Sequence, residues 1–117
     1  MSQFNIGSKA FIAGEDLEAF RRVKLSAGSG TQVVYADAGE AFIGFTAAKA
    51  LSGEMVSVDL KTSGRTFKVT AAGAITAGGS FYGAVDGKVS ATVSGSIQGV
   101  VLEASASDAE IVEGLLS

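Results

Sequence analysis

The feature that most constrains the fold is the regular interruption of short apolar runs by turn-forming residues. From Arg21 onward, β-branched and aromatic runs alternate with Gly, Ser, Asp and Ala at intervals of about 8–12 residues, a spacing typical of strands in a sandwich or barrel. The sequence therefore predicts an all-β fold, a small compact β-barrel or sandwich. We expect at most one or two short helices, for which residues 14–20 and 105–110 are the candidates.

Two turn signals predict β-hairpins. Asp86-Gly87 lies between the apolar runs 81–85 and 88–92 and supplies the two positive-φ residues of a type I′ turn. Ser63-Gly64 separates the runs 56–60 and 66–69 in a similar way. Strand alternation places every second residue of these runs on the inward side. A mixed apolar run near the C-terminus contributes further residues to the predicted core. The predicted core comprises Val56, Val58, Leu60, Phe67, Val69, Val100 and Leu102.

An internal repeat relates two parts of the chain. Residues 42–60 resemble residues 97–115, and Gly44 and Gly99 occupy corresponding places in the two copies. A glycine inside a strand pattern indicates a bulge or the close approach of another backbone. Two related β-units packed into one barrel or sandwich is the simplest architecture with this pattern.

The first 20 residues differ from the rest, because their apolar residues do not alternate strongly. We interpret residues 1–20 as an N-terminal arm and residues 21–117 as the β-rich domain. Residues 1–13 are expected to lie extended against a neighbouring chain, adding to an exposed sheet edge while apolar side chains fill pockets. The alternative is an N-terminal strand folded onto its own domain. The arm's apolar contact residues are Phe4, Ile6, Phe11 and Ile12.

Arg21, Arg22 and Lys24 form a basic cluster next to this arm. On a strand, Arg22 and Lys24 share one face while Val23 and Leu25 share the other. The cluster is either a solvated strand face or a docking surface for acidic residues of a partner. If the cluster is a docking surface, its electrostatic attraction for acidic residues of the partner would weaken as the salt concentration rises.

The composition excludes several classes of chemistry. The chain has no Cys and no His, so it offers no imidazole, no thiolate and no ordinary zinc site. A net charge of −3 argues against a non-specific nucleic-acid binder. The longest uncharged stretch, residues 69–85, is too short and glycine-rich for a membrane span, and the first residues do not resemble a signal peptide. We therefore expect a non-enzyme with no cofactor, no metal, no nucleic acid and no membrane partner.

The last three-quarters of the chain carry five short motifs in order. They are AGEAFIGF at 38–45, SGEMVSV at 52–58, ITAGGSFY at 75–82, DGKV at 86–89 and IQGVVLEA at 97–104. This series resembles the small decoration, or cement, proteins of tailed-bacteriophage heads, which repeat G-E-x-V-x-V, I-x-A-G-x-x-Y, D-G-K-V and I-G-V-x-L-E-A. The sequence departs from this pattern before Phe81-Tyr82, where Gly79-Ser80 replaces an acidic turn, and residues 1–37 match no part of it.

The resemblance implies a virion protein, made in the host cytoplasm, that sits on the outer surface of an expanded capsid. It implies a homotrimer that bridges neighbouring capsomers, with the major capsid protein and its own copies as partners. It brings no catalytic or cofactor residues. A glycine-rich chain of this size also has a thin core and gains from association. The rival hypothesis is a carbohydrate- or receptor-binding β-domain of a phage fibre or spike, although such sites favour exposed aromatic platforms and the chain has no Trp and 2 Tyr.

Overall fold

The described part of the protein, residues 8–63 and 66–116 of a computed structural model, consists of two small closed β-barrels. Single turns of 3-10 helix span Lys61–Ser63 and Val85–Gly87. The all-β prediction is confirmed, although each β-unit closes a barrel of its own instead of sharing one. No helix in the described ranges is long and apolar enough to cross a membrane. The first barrel contains β1 (Ser8–Ala13), β2 (Arg22–Leu25), β3 (Gln32–Tyr35), β4 (Gly44–Thr46) and β5 (Met55–Leu60), and the second contains β6 (Phe67–Ala72), β7 (Ser80–Gly83), β8 (Val89–Ser90), β9 (Gly99–Val101) and β10 (Asp108–Leu116).

The two barrels have the same topology. Their strand orders are β1-β3-β2-β4-β5 and β6-β8-β7-β9-β10. In each barrel the first strand runs parallel to the third and antiparallel to the last. Even isolated bridges repeat, since Leu17 pairs with Ala50 and Ile75 pairs with Ser105. The internal repeat predicted from the sequence is therefore confirmed and extends over both barrels.

Gly44 and Gly99 mark the same close approach in the two barrels. A Cβ atom at Gly44 would lie 2.2 Å from the carbonyl oxygen of Asp59, and one at Gly99 would lie 2.3 Å from that of Leu115. No real Cβ contact is this short, so only glycine lets β4 and β9 pair with the last strand of their barrels. The close-approach interpretation of both glycines is confirmed.

The loops repeat as well. The carboxylate of Glu54 accepts a hydrogen bond from the N–H of Leu51, and the carboxylate of Glu110 accepts one from the N–H of Ala106 at the corresponding place. Because the second barrel repeats the first down to its loop contacts, a residue in one barrel can be assigned a counterpart in the other.

The core divides into two clusters, one of which crosses between the barrels. The first barrel is filled by its own side chains, including Phe11, Val23 and Val58. The second cluster fills the second barrel but also includes Phe42 and Phe45 from the first. The barrels are therefore joined by apolar packing in addition to the covalent connection.

The predicted core is partly correct. Val56, Val58, Phe67 and Val69 are buried, and Leu60 is partly buried. The prediction is wrong for Leu102, which is exposed, and for Val100, which is half-buried, because Val101 is the residue of β9 that points inward.

The Asp86-Gly87 turn is confirmed. Both residues have positive φ, and strands β7 and β8 pair across the turn. The second predicted hairpin is wrong, because β5 pairs with β1 and β4, whereas β6 pairs with β8 and β10. The segment around Ser63-Gly64 therefore connects two barrels instead of two paired strands. Neither helix candidate forms a helix, since residues 14–20 are bridge and loop and residues 108–110 begin β10.

The N-terminal strand belongs to its own domain. β1 pairs with β5 from Ser8 to Ile12 and with β3 at Ile12 and Ala13. The structure thus has the alternative arrangement for residues 8–13 and corrects the expectation that they lie against a neighbouring chain. The described barrels divide between β5 and β6 and not at residue 20, where the sequence suggested a boundary.

Candidate functional site

Arg22 is the centre of the seam between the barrels. It lies on β2 next to Val23, and because Val23 packs into the first barrel, the Arg22 side chain points away from that core toward the second barrel. Its guanidinium donates hydrogen bonds to five carbonyl oxygens. The acceptors are Ala36 (2.7 Å), Asp37 (3.1 Å) and Glu40 (3.3 Å) in the first barrel, and Ala84 (2.7 Å) and Lys88 (3.1 Å) in the second.

The surroundings of Arg22 fit a planar cation. A Cβ atom at Gly83 would lie 2.7 Å from Nη1 of Arg22, so the glycine leaves room for the guanidinium against the backbone. The ring of Phe42 lies 5.6 Å from the guanidinium carbon on another side. Burial lowers the pKa of Arg22 to about 10, although Asp37 and Glu40 act to raise it. Arg22 therefore stays charged at neutral pH and holds the barrels together.

This position corrects the prediction for Arg22. Arg22 is fully buried, so it cannot offer its charge to a partner of the folded chain. Arg21 is half-buried and donates to the carbonyl oxygen of Asp86 at 3.0 Å, with its guanidinium 5.8 Å from the ring of Tyr35. Lys24 is half-exposed and pairs with Glu40 at 2.7 Å. The basic cluster is thus largely used within the chain.

Lys24 also determines the state of Glu40. The hydrogen bond from Lys24, and a second from the N–H of Asp37, lower the pKa of the Glu40 carboxyl. Lys24 is therefore engaged by a carboxylate of its own chain.

The apolar residues of the predicted arm do not form one surface. Phe11 is buried in the first barrel, whereas Ile12 is exposed on the opposite side of β1. Phe4 and Ile6 lie outside the described residues, so their role as contact residues stays a prediction.

A cleft of about 500 Å³ opens along the seam. Phe20, Phe45 and Phe67 contribute to its lining, and the rings of Phe45 and Phe67 have centroids 5.1 Å apart. Glu103 and Glu113 lie at its rim, where Glu103 accepts from the N–H of Glu113. Lys68 also lines the cleft, so its lining carries side chains of both charges.

The cleft contains no arrangement for catalysis by histidine or cysteine, since the chain has neither residue. Among residues 8–63 and 66–116, no group of three or more acidic side chains could hold a metal ion. What the described surface does offer is a set of exposed apolar side chains on strands, which suits protein contacts.

Sequence reasoning missed one apolar surface, formed by β9 and β10. Val100 on β9 lies opposite Leu115 on β10, and Leu102 follows β9 in an exposed position. The signal that identifies this face is the repeat, because Phe45 occupies the place of Val100 in the first barrel and is buried there. Alternation within one short strand does not carry that information.

Comparison with known proteins finds a relative in fold only. No family model and no curated protein sequence matches the chain. Among solved structures, the chain is similar to the head fiber gp8.5 N base in bacteriophage phi29, with a TM-score of 0.80 and 18% sequence identity over 94% of this chain and 92% of that one. The similarity shows that the two-barrel fold occurs in a phage head fiber.

Proposed function

We propose that this protein is a structural component of a tailed-phage virion that binds the outer surface of the capsid and stabilises the shell by bridging capsomers. The observation that carries the proposal is the fold similarity to a phage head fiber base over almost the whole chain. The motif series at residues 38–104, which resembles capsid decoration proteins, supports it independently. In this proposal the protein is not an enzyme, its partners are the major capsid protein and copies of itself, and its assembly on the capsid is the trimer of decoration proteins.

The structure supports a mechanical role. A protein that bridges capsomers has to transmit force between two contact points without coming apart. The seam supplies that resistance, because Arg22 connects carbonyl groups of both barrels and Phe45 packs against Phe67 across it. The two barrels therefore act as one rigid unit, and the exposed strand faces remain available for contacts.

Co-sedimentation with phage heads tests the proposal. Purified protein is mixed with expanded heads of its own phage that lack it, and bound protein is measured in the pellet; the same heads are then heated to find the temperature of disruption. We expect saturable binding and a higher disruption temperature. Failure to bind the correct expanded heads would refute the proposal.

Removal of residues 1–7 tests the predicted contact residues Phe4 and Ile6. The first described strand begins at Ser8, so the truncated chain keeps all the described strands. We expect its melting temperature to match that of the full chain while capsid binding is lost. The double substitution Phe4→Ser and Ile6→Ser is the matched variant of unchanged length. Full binding by both variants would remove these residues from the capsid contact.

The phage head fiber neighbour also favours a second candidate, a base that attaches a fibre to the capsid. The heating experiment separates the two functions. A capsomer bridge raises the disruption temperature of the heads, whereas a fibre base binds without raising it. A carbohydrate site has less support, because the hydroxyl of Tyr35 is engaged by the N–H of Glu18 and its ring faces Arg21.

A further inference from the structure

The contact between the two barrels is directional. The first barrel contributes the outer side of β4 and the turn before β2, and the second contributes β6 and the β7–β8 turn. Phe45 packs on Phe67, and the carbonyl oxygen of Phe20 accepts from both the N–H (3.1 Å) and the hydroxyl (3.0 Å) of Thr70. We call the β4 side the receiving face and the β6 side the inserting face.

The repeat assigns a counterpart to each face. Phe45 follows Gly44 on β4, so its counterpart on β9 is Val100, which follows Gly99. Thr70 precedes Ala71, the partner of Val89 in the parallel bridge between β6 and β8. In the first barrel, Ile12 precedes Ala13, the partner of Val33 in the same kind of bridge. The second barrel therefore has a receiving face of its own at Val100, and the first has an inserting face of its own at Ile12.

Both counterpart faces are open in the single chain and carry exposed apolar residues. On the receiving face of the second barrel, Val100 is half-buried, whereas its counterpart Phe45 is buried, and Leu115 opposite Val100 is 44% exposed. Leu102 extends this apolar surface. On the inserting face of the first barrel, Ile12 is 38% exposed. Exposed apolar surface of this kind marks a protein interaction site.

We infer that two copies of this chain associate head to tail, with the inserting face of one copy's first barrel on the receiving face of the other copy's second barrel. The occupant is a second copy because the chain already contains one contact between corresponding positions of its own two barrels, with Lys9 of the first barrel at the place of Phe67. The contact is heterologous, since the two faces differ, and repetition of it closes a ring or extends a chain. The inference rests on the self-association within the proposed function and names its surfaces.

Sedimentation velocity of charged variants tests the contact. Leu115→Glu places a charge on the receiving face, and Ile12→Glu places one on the inserting face. Leu51→Glu is the matched control, because Leu51 is 51% exposed and belongs to neither face. We expect the unaltered protein and the control to associate as concentration rises, and each face variant to remain a monomer with unchanged circular dichroism.

Mixing the two face variants gives the decisive result. Each retains the face that the other has lost, so the mixture should form a dimer with one intact contact and no larger species. A mixture that stays monomeric, or that grows beyond a dimer, would overturn the inference, as would an unaltered protein that is monomeric up to its solubility limit. If a glutamate variant fails to fold, Leu102→Lys and Ile12→Lys alter the same two faces. Capsid binding by a monomer would leave the proposed function intact while refuting this contact.

Discussion

Replacing Arg22 by Lys, the conservative choice, should destabilise the protein more than replacing it by Met. Burial lowers the pKa of Arg22 from its ordinary value to about 10, so keeping the charge in the seam costs the folded state roughly 3 kcal/mol at about 1.4 kcal/mol per pKa unit. The five hydrogen bonds of the guanidinium offset this cost. The effect of a substitution therefore depends on whether charge and hydrogen bonds are lost together.

Arg22→Met removes both. Four of the five carbonyl groups keep another donor in the structure: those of Ala36, Asp37, Glu40 and Lys88 accept from Gly87, Glu40, Gln98 and Ala84 respectively. Only the carbonyl of Ala84 loses its hydrogen-bond donor among the described residues, at a cost of about 1–3 kcal/mol. Because the cost of the buried charge disappears as well, we expect the free energy of unfolding to change by less than about 2 kcal/mol.

Arg22→Lys keeps the charge but not the bonds. An ammonium group has three donors instead of five and is more strongly hydrated, so at least two charge-assisted hydrogen bonds are lost while the charge stays buried. At about 1.5–3 kcal/mol for each of two bonds, the expected loss is about 3–6 kcal/mol. Urea unfolding followed by far-ultraviolet circular dichroism measures both variants, with equal urea slopes as the control for comparable unfolding transitions. A lysine variant more stable than the methionine variant would refute the reasoning.

Three further predictions concern the repeat and the surface. Gly44→Ala should lower the free energy of unfolding, measured in urea, by about 3 kcal/mol or more, because its Cβ would meet a carbonyl oxygen. The control Gly30→Ala, which has nothing within 4 Å of its Cβ, should change the free energy of unfolding by less than about 0.5 kcal/mol. Equal effects of the two substitutions would contradict the close approach at Gly44. Phe45→Ala should lower the free energy of unfolding by about 3–5 kcal/mol, whereas Val100→Ala, at the corresponding place in the second barrel, should lower it by about 1 kcal/mol or less. Similar losses for the two variants would argue against an apolar core between the barrels. The lowered pKa of Glu40 means that its carboxylate stabilises the fold above the unfolded pKa, and that this contribution is lost as pH falls through the folded value. Thermal unfolding across the acid range should therefore show a weaker pH dependence for Glu40→Gln, and an unchanged dependence would exclude this role.

The sequence predicts those parts of the fold that depend on local pattern. The Asp86-Gly87 turn forms as expected because its two residues alone meet the requirement for positive φ. The repeat is detectable because Gly44 and Gly99 meet the same steric demand in each barrel. Strand existence, turn chemistry and close backbone contacts are all specified within a few neighbouring residues.

Features that depend on distant partners are not visible in this way. The pattern around Ser63-Gly64 is that of a hairpin, but which strands pair is decided by partners elsewhere in the chain. Arg22 has the alternation of a surface residue, and its burial depends on carbonyl groups of Ala84 and Lys88 more than 60 positions away. In the candidate site, Phe11 and Ile12 do not act together as the sequence suggested: Ile12 is exposed and Phe11 is buried, because strand alternation places neighbours on opposite sides of β1.

The closure of each barrel by its own first and last strands has a consequence for biosynthesis. β1 pairs with β5 and β6 pairs with β10, so neither barrel needs a strand from the other to close. Domains generally fold in order from the N-terminus as the chain leaves the ribosome, and the first barrel is complete once Leu60 has emerged. At that moment Arg22 and Phe45 lack their partners in the second barrel, because Phe67, Ala84 and Lys88 have not yet been made. The second barrel then folds against a first barrel that is already formed. The native structure is complete only when the second barrel covers the surface around Arg22 and Phe45.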